Sequence, residues 1–134
     1  MNAVDFFKND RYATMTGIEL LEISKGYAKA KLPVTEMHLN AGNTTQGGAI
    51  FTLADFVLAA ASNSHGRLAF TITGSVNFLK GSGPGDTLFA EAKERFLHKR
   101  IANYQVDVTN QNGELIATLE GMVYRKEDKI DLEF

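Results

Sequence analysis

Asp55 is the most unusual residue of the sequence, because it lies within the longest apolar stretch, residues 48–61. A carboxylate enclosed in a helix costs several kcal/mol unless it has partners. In an active site it could act as a general base or as a nucleophile. It could equally cap a neighbouring backbone group or face a local opening, and the residue types alone leave these alternatives open.

Two glycines, Gly47 and Gly48, stand at the start of the same stretch. Glycine leaves the unpaired N–H groups of a first helical turn uncovered, and the positive end of a helix favours negative charge there. These amides could form an oxyanion hole, or the glycines could simply permit a bend. Asn40 and Gln46 precede them and carry amides that could orient a substrate or a water, or hydrogen-bond within a loop.

Other catalytic chemistries find little support in the sequence. The chain has no cysteine, which excludes disulfides, thiolate metal sites and a cysteine nucleophile. Its three histidines, His38, His65 and His98, are far apart and lack the spacing of metal ligands. Residues 81–85 lack the Gly-Lys-Ser/Thr ending of a phosphate loop, and no Gly-x-Ser-x-Gly elbow occurs. We therefore expect neither a metal site nor a serine hydrolase.

The elements that must position these residues follow from hydrophobic periodicity. Residues 48–64 predict one long helix, rich in Ala and Leu and apolar nearly all round, which should be enclosed on most sides. Period-two patterns predict strands on either side of it. Two short strands, the helix and four antiparallel strands form an α+β fold, with the sheet wrapped around one buried helix. The predicted strands are residues 18–23, 27–32, 70–80, 87–97, 102–109 and 115–123.

Size and composition indicate a single domain spanning residues 1–134. With 44% hydrophobic and 22% charged residues and a net charge of −2, the chain is typical of a soluble globular protein and unlike a nucleic-acid binder. The first fifteen residues contain no secretory core, and no apolar run reaches the ~20 residues of a membrane span. We expect a cytoplasmic protein with no nucleic-acid or membrane partner.

In order and spacing, these motifs resemble the hotdog-fold acyl-CoA thioesterases, in particular the branch similar to the phenylacetate-degradation thioesterase. That family shows Asn, a short gap, Gly, then His-Gly-Gly-x-Ile-Phe-x-Leu-Ala-Asp, followed by Phe-Leu at a strand end and a Gly-Asp turn. Gln46 departs from this pattern, since the family usually has His there. The resemblance covers about residues 6–125 and rests on Asn40, Gly42, residues 46–55, Phe78-Leu79 and Gly85-Asp86.

The resemblance implies hydrolysis of an acyl-CoA, with an aromatic or medium-chain acyl group and no cofactor beyond the CoA of the substrate. With the physical argument above, it assigns the oxyanion N–H to Gly48 and the role of base or nucleophile to Asp55. It also implies a hydroxyl on the strand after the helix, which alignment on the Gly85-Asp86 turn places at Thr71, with Thr73 as the second choice. The other residues expected around the substrate are Gly47, Asn40 and Gln46.

Gln46 keeps a second function open. An amide in place of the usual His is compatible with a hotdog protein that binds acyl-CoA or another acyl ligand without hydrolysing it. Turnover of acyl-CoA substrates would distinguish the two functions.

Positive charge is concentrated around one predicted hairpin. Lys93, Arg95, Lys99 and Arg100 lie there with a single acidic neighbour, Glu94. The cluster could be a solvated hairpin end, or Lys99 and Arg100 could bind the phosphates of coenzyme A.

The helix itself predicts an assembly. Gly48 and Asp55 are seven residues apart and so lie about 10 Å apart along the axis. A carboxylate cannot reach over that distance to a thioester held at the N-terminus of its own helix. Two helices packed antiparallel about a two-fold axis would bring Asp55 of one copy to Gly48 of the other. We expect a homodimer with shared active sites, in agreement with the resemblance, and further pairing into a dimer of dimers, a homotetramer.

Overall fold

Ten short elements make up the fold of residues 1–134, which a computed structural model describes in full. Two small helices precede the first strands, a single 3-10 turn lies in the loop before the long helix, and four longer strands follow it. The elements are α1 (Ala3–Phe7), α2 (Arg11–Thr16), β1 (Glu19–Ser24), β2 (Tyr27–Pro33), the 3-10 turn (Glu36–His38), α3 (Gly47–Asn63), β3 (Arg67–Phe78), β4 (Thr87–Leu97), β5 (Ile101–Thr109) and β6 (Leu115–Lys129).

All six strands belong to one antiparallel sheet in the order β1-β2-β4-β5-β6-β3. The long helix α3 packs against its inner face, so the predicted α+β hotdog architecture is confirmed. Small side chains allow this close packing, because alanines recur on the inner face of β2, β4 and β5 and are fully buried there. None of the helices has the length and hydropathy needed to cross a membrane.

Helix α3 has clear start and stop signals. The side chain of Gln46 caps its first turn, and its interior contains no proline. At its end, Asn63 donates to the carbonyls of Ala59 and Ala69 and accepts from the Ala69 N–H, which ties the helix to β3. Its core-facing side, which includes Leu53, Val57 and Leu58, is completely buried.

One strip of α3 is not covered. Gly48, Thr52, Asp55 and Ala59 recur at helical spacing and are half-buried or exposed, although most of the helix is buried as predicted. Strand β3 runs beside this strip and forms a free edge of the sheet. The polar face of the helix and an unpaired strand edge thus lie side by side.

Strand β3 contains a bulge that the periodicity did not predict. The period-two pattern had grouped Phe70, Ile72, Val76 and Phe78 on one face. The register with β6 shifts between Thr71 and Thr73, so Ile72 is an extra residue and the alternation reverses there. Thr71, Val76 and Phe78 consequently face the helix, whereas Phe70 faces outward, and the grouping on one face is wrong.

The packing between α3 and β6 generates a stability prediction. A Cβ added at Gly121 would lie 2.6 Å from Cδ2 of the fully buried Leu58. We expect Gly121→Ala to overpack this contact and to lower the free energy of unfolding by about 1–3 kcal/mol. Gly81→Ala is the matched control, because an added Cβ there meets nothing within 4 Å. Urea unfolding of both variants checks this, and equal stability of the two would contradict it.

Candidate active site

Asp55 projects from the uncovered strip of α3 towards β3. The Thr71 hydroxyl donates a hydrogen bond of 3.1 Å to its Oδ1. Burial raises the pKa of the Asp55 carboxyl above its usual range, the hydrogen bond from Thr71 opposes this shift, and the nearby Asp10 carboxylate reinforces it. The structure therefore places Thr71, and not Thr73, beside Asp55, because the bulge turns Thr73 to the outer face.

The N-terminus of α3 offers one unpaired amide, that of Gly47. The N–H of Gly48 donates to Oε1 of Gln46 at 2.7 Å, so its donor is already occupied. The N–H of Gly47 makes no hydrogen bond within the chain. The sequence had assigned the oxyanion donor to Gly48, but in this conformation the available donor is Gly47.

Gln46 acts as the helix cap. The hydrogen bond at Oε1 fixes the orientation of its side-chain amide, so Nε2 is the end that remains free to donate. Family resemblance predicted that residue 46 contacts the substrate, and the structure adds that the same side chain is bound to the neighbouring backbone.

His38 holds the loop that leads to this helix end. Its Nδ1 accepts from the Thr35 N–H at 2.9 Å, and its Nε2 lies 2.6 Å from the Thr16 carbonyl oxygen. Its own carbonyl oxygen accepts from the Gln46 N–H at 2.8 Å. His38 is buried and positions Gln46 through the backbone. No spacing in the sequence indicates this role, since the partners are backbone groups.

The side chain of Asn40 is engaged within its own loop. Its Oδ1 accepts from the N–H groups of Gly42 and Thr44, and its Nδ2 donates to the Thr44 hydroxyl. These contacts favour the structural alternative for Asn40, although its backbone borders the site.

Two grooves flank the start of α3. One, which we call the lysine groove, is lined by Asn40, Thr44, Thr45, Gly47, Ile50 and residues 78–82, and it includes Lys80. Phe78 lies close to Gly47 there, because an added Cβ at Gly47 would be 3.0 Å from the ring. Phe78 belongs to the motif that carries the family resemblance, but the sequence predicts neither Phe78 nor Lys80 as a residue of the site. Lys80 pairs with Glu114.

The second, which we call the methionine groove, lies on the side of the helix that faces α2 and the 3-10 turn. Five of its nine lining residues are apolar, and the polar ones come from α2, the 3-10 turn and the start of α3. It is lined by Tyr12, Met15, Thr16, Met37, His38, Leu39, Gln46, Ala49 and Thr52.

Asp55 and Gly47 do not meet within one chain. Phe78 lies beside Gly47 at one end of the uncovered strip, and Thr71 lies beside Asp55 further along it. The eight-residue separation along the helix corresponds to about 12 Å. One copy therefore carries two separate halves of a site.

The basic hairpin is partly neutralised. Arg100 forms a 2.7 Å ion pair with Glu127, and Lys93 pairs with Glu91. Lys99 makes no ion pair and is exposed. The hairpin lies at the Asp55 end of the sheet, since Ile101 pairs with Tyr124, which pairs with Phe70 beside Thr71.

Known proteins share this sequence and fold. The profile of the thioesterase superfamily matches residues 42–117. A protein of Archaeoglobus fulgidus, named as a proposed esterase, is 44% identical over 89% of this chain and 77% of its own length. The acyl-coenzyme A thioesterase PaaI of Escherichia coli is 33% identical over 92% of this chain and 89% of its own length.

Solved structures of related proteins have the same fold as this chain. The structure of the E. coli PaaI protein, from the phenylacetic acid degradation operon, superposes with a TM-score of 0.92 at 32% identity and covers 97% of this chain and 94% of its own. The smu.793 protein of Streptococcus mutans, solved bound to acetyl CoA, has a TM-score of 0.81 at 28% identity, with 86% and 92% covered. On sequence and fold together, this chain belongs to the thioesterase superfamily.

Proposed function

We propose that this protein hydrolyses acyl-CoA thioesters to a free acid and coenzyme A. The observation that carries this proposal is the uncovered strip of α3, which presents Asp55 with Thr71 along its length and leaves an unpaired amide at Gly47 near its start. Membership of the superfamily supports it, as do an E. coli relative named acyl-coenzyme A thioesterase and a solved neighbour that binds acetyl CoA. The reaction needs no cofactor, and we place it in the cytoplasm.

A complete site requires two copies of the chain. The free edge of β3 is a template for antiparallel pairing with a second copy, and the uncovered strip of α3 lies beside it. Pairing about a two-fold axis brings Asp55 of one copy to Gly47 of the other and generates two equivalent sites. Further pairing into a dimer of dimers would cover part of the outer face, where Phe70 and Phe96 are half exposed.

The chemistry follows from these groups. The Asp55 carboxylate takes a proton from a water whose oxygen attacks the thioester carbonyl carbon, or it attacks that carbon itself and forms an anhydride that water then cleaves. In both cases negative charge builds on the carbonyl oxygen, where the Gly47 N–H and the positive helix end stabilise it. Collapse of the intermediate breaks the C–S bond and releases CoA thiolate. Thr71 orients the Asp55 carboxylate.

The phosphates of coenzyme A have two groups of candidate partners in the chain. Lys99 and Arg100 accompany Asp55 in one copy, and Lys80 accompanies Gly47 in the same groove. We propose that Lys99 and Arg100 contact these phosphates.

A non-catalytic acyl-CoA binder is the second candidate. The observation that favours it is the contact between Gln46 and Gly48, which occupies one of the two amides at the helix start. A binder needs no oxyanion donors, whereas an enzyme with this contact depends on Gly47.

Replacing Asp55 tests the catalytic role and separates it from a folding defect. Asp55→Asn keeps the volume but removes the base or nucleophile, so we expect acyl-CoA turnover to fall by roughly 10²-fold or more. Because the folded-state pKa is raised, the charged carboxylate disfavours the folded state. This penalty is absent below the usual pKa of Asp, grows as the pH rises from that pKa to the raised folded-state pKa, and is constant above it.

The Asn variant should therefore unfold at a higher temperature than the parent at neutral pH, with the difference vanishing in acid. Asp107→Asn, at an exposed position, is the control and should change neither turnover nor melting temperature. Turnover that survives in Asp55→Asn would overturn the assigned role.

Two substitutions at Gln46 distinguish a helix cap from a group that faces the substrate. Gln46→Glu keeps an acceptor for the Gly48 N–H and should preserve or raise the melting temperature. Its negative charge would lie beside the developing oxyanion, so turnover should fall further than in Gln46→Ala. If Gln46→Glu matches the parent in kcat/KM, Gln46 is only a cap.

Mixed dimers test the shared site. Subunits carrying Asp55→Asn are mixed, under conditions that exchange chains, with subunits carrying Gly47→Val, whose side chain would contact Phe78. Random pairing makes half of the dimers mixed, and each contains one intact site, so about one quarter of all sites should recover activity. Each variant exchanged with itself is the control. No recovery despite verified exchange would show that both groups act within one chain.

A further inference from the structure

The methionine groove concentrates exposed apolar surface. Met37, Met15 and Tyr12 are 70%, 69% and 65% exposed, which makes them the three most exposed large apolar side chains of the protein. They come from α2 and the 3-10 turn, which are separate in sequence, yet all three line this groove. Single exposed apolar residues are ordinary, but a contiguous cluster marks a binding surface.

The groove adjoins the proposed reaction centre. Gln46, Ala49 and Thr52 from the first two turns of α3 form its inner wall. Gln46 contacts the Gly48 N–H, and Gly47 lies between these two residues. Gly47 itself lines the lysine groove and Gln46 lines the methionine groove, so a carbonyl held at Gly47 lies between residues of the two grooves.

We propose that the methionine groove binds the acyl chain of the thioester, and that this chain is an unbranched aliphatic chain of medium length. The inference rests on the proposed function and names its substrate class. The pantetheine arm of coenzyme A then takes the opposite side of the helix start, in the lysine groove.

The different linings of the two grooves support this orientation. Five of the nine residues around the methionine groove are apolar, against three of ten around the lysine groove. Pantetheine carries two amides that need hydrogen-bond partners. The lysine groove is lined by the polar side chains of Thr44, Thr45, Lys80 and Ser82, which in the single chain are paired with Asn40, with Glu114 or with each other. An alkyl chain needs no hydrogen-bond partner and gains from apolar burial.

The methionine side chains can adapt to acyl chains of several lengths. Methionine is unbranched and has three rotatable bonds, so the walls at Met15 and Met37 can close around chains of several lengths. Both walls belong to short elements, a six-residue helix and a three-residue turn. A groove of this kind produces a graded dependence on chain length.

The test uses Met15→Gln combined with Met37→Gln, which keeps side-chain length and removes the apolar surface. For the parent we expect kcat/KM to rise about fourfold per added methylene from butanoyl-CoA to octanoyl-CoA. In the double variant the rise should fall to about twofold or less per methylene. Leu21→Gln, at an exposed apolar position on β1, is the matched control and should keep the parental slope.

Several results would overturn the inference. A parental slope in the double variant would show that the chain lies elsewhere, and a preference of the parent for phenylacetyl-CoA over octanoyl-CoA would reject an aliphatic substrate. A changed oligomeric state in the double variant, measured by light scattering, would identify the groove as a protein interface instead.

A failure of the proposed hydrolysis can be distinguished from a failure of the proposed acyl-chain binding. If the parent hydrolyses no CoA ester, the affinities of S-methyl-CoA and S-octyl-CoA, which cannot be hydrolysed, replace kcat/KM. Tighter binding of the octyl compound that is lost in the double variant would support the groove without hydrolysis. Equal affinities for both compounds in the parent would reject it.

Discussion

The functional groups of this protein depend on how closely α3 lies against the sheet. Alanines on the inner face of β2, β4 and β5, together with Gly121 on β6, leave room for the helix to approach. The close packing buries one side of α3 completely and leaves the opposite strip uncovered beside β3. Asp55, which would be costly inside the core, lies on that strip with Thr71 as its partner. Burial of the helix and retention of a carboxylate are thus compatible only because the burial is one-sided.

At the start of α3, helix capping and catalysis compete for the same backbone N–H groups. A helix N-terminus needs acceptors for its N–H groups, and Gln46 supplies one at Gly48. The amide of Gly47 remains unpaired and available to a substrate. An uncapped helix start would offer more donors but would be less stable, and a fully capped one would offer none. Anchoring of the preceding loop through His38 keeps this arrangement in place.

Residue types and periodicity predicted the element order, the long helix and the hotdog architecture, because each element carries a continuous pattern of its own. They also singled out Asp55, since a charge inside an apolar stretch is visible without a structure. The distinction between Gly47 and Gly48 was not predictable, because it depends on one side-chain rotamer at Gln46. The methionine groove was equally hidden, as its residues are distant in sequence and none has a recognisable motif.

The bulge at Ile72 determines on which face of β3 the side chains of Thr71 and Phe78 lie. Thr71 and Phe78 are separated by an odd number of positions, so an uninterrupted strand would turn them to opposite sides of the sheet. The extra residue makes the effective separation even and directs both towards the helix, one beside Asp55 and the other beside Gly47. The number of residues between Thr71 and Phe78, and not the identity of any one side chain on β3, keeps both side chains on the face that contacts the helix. Deletion of one residue between Thr71 and Phe78 would therefore turn these two side chains to opposite faces of the sheet, which no substitution at either position would do.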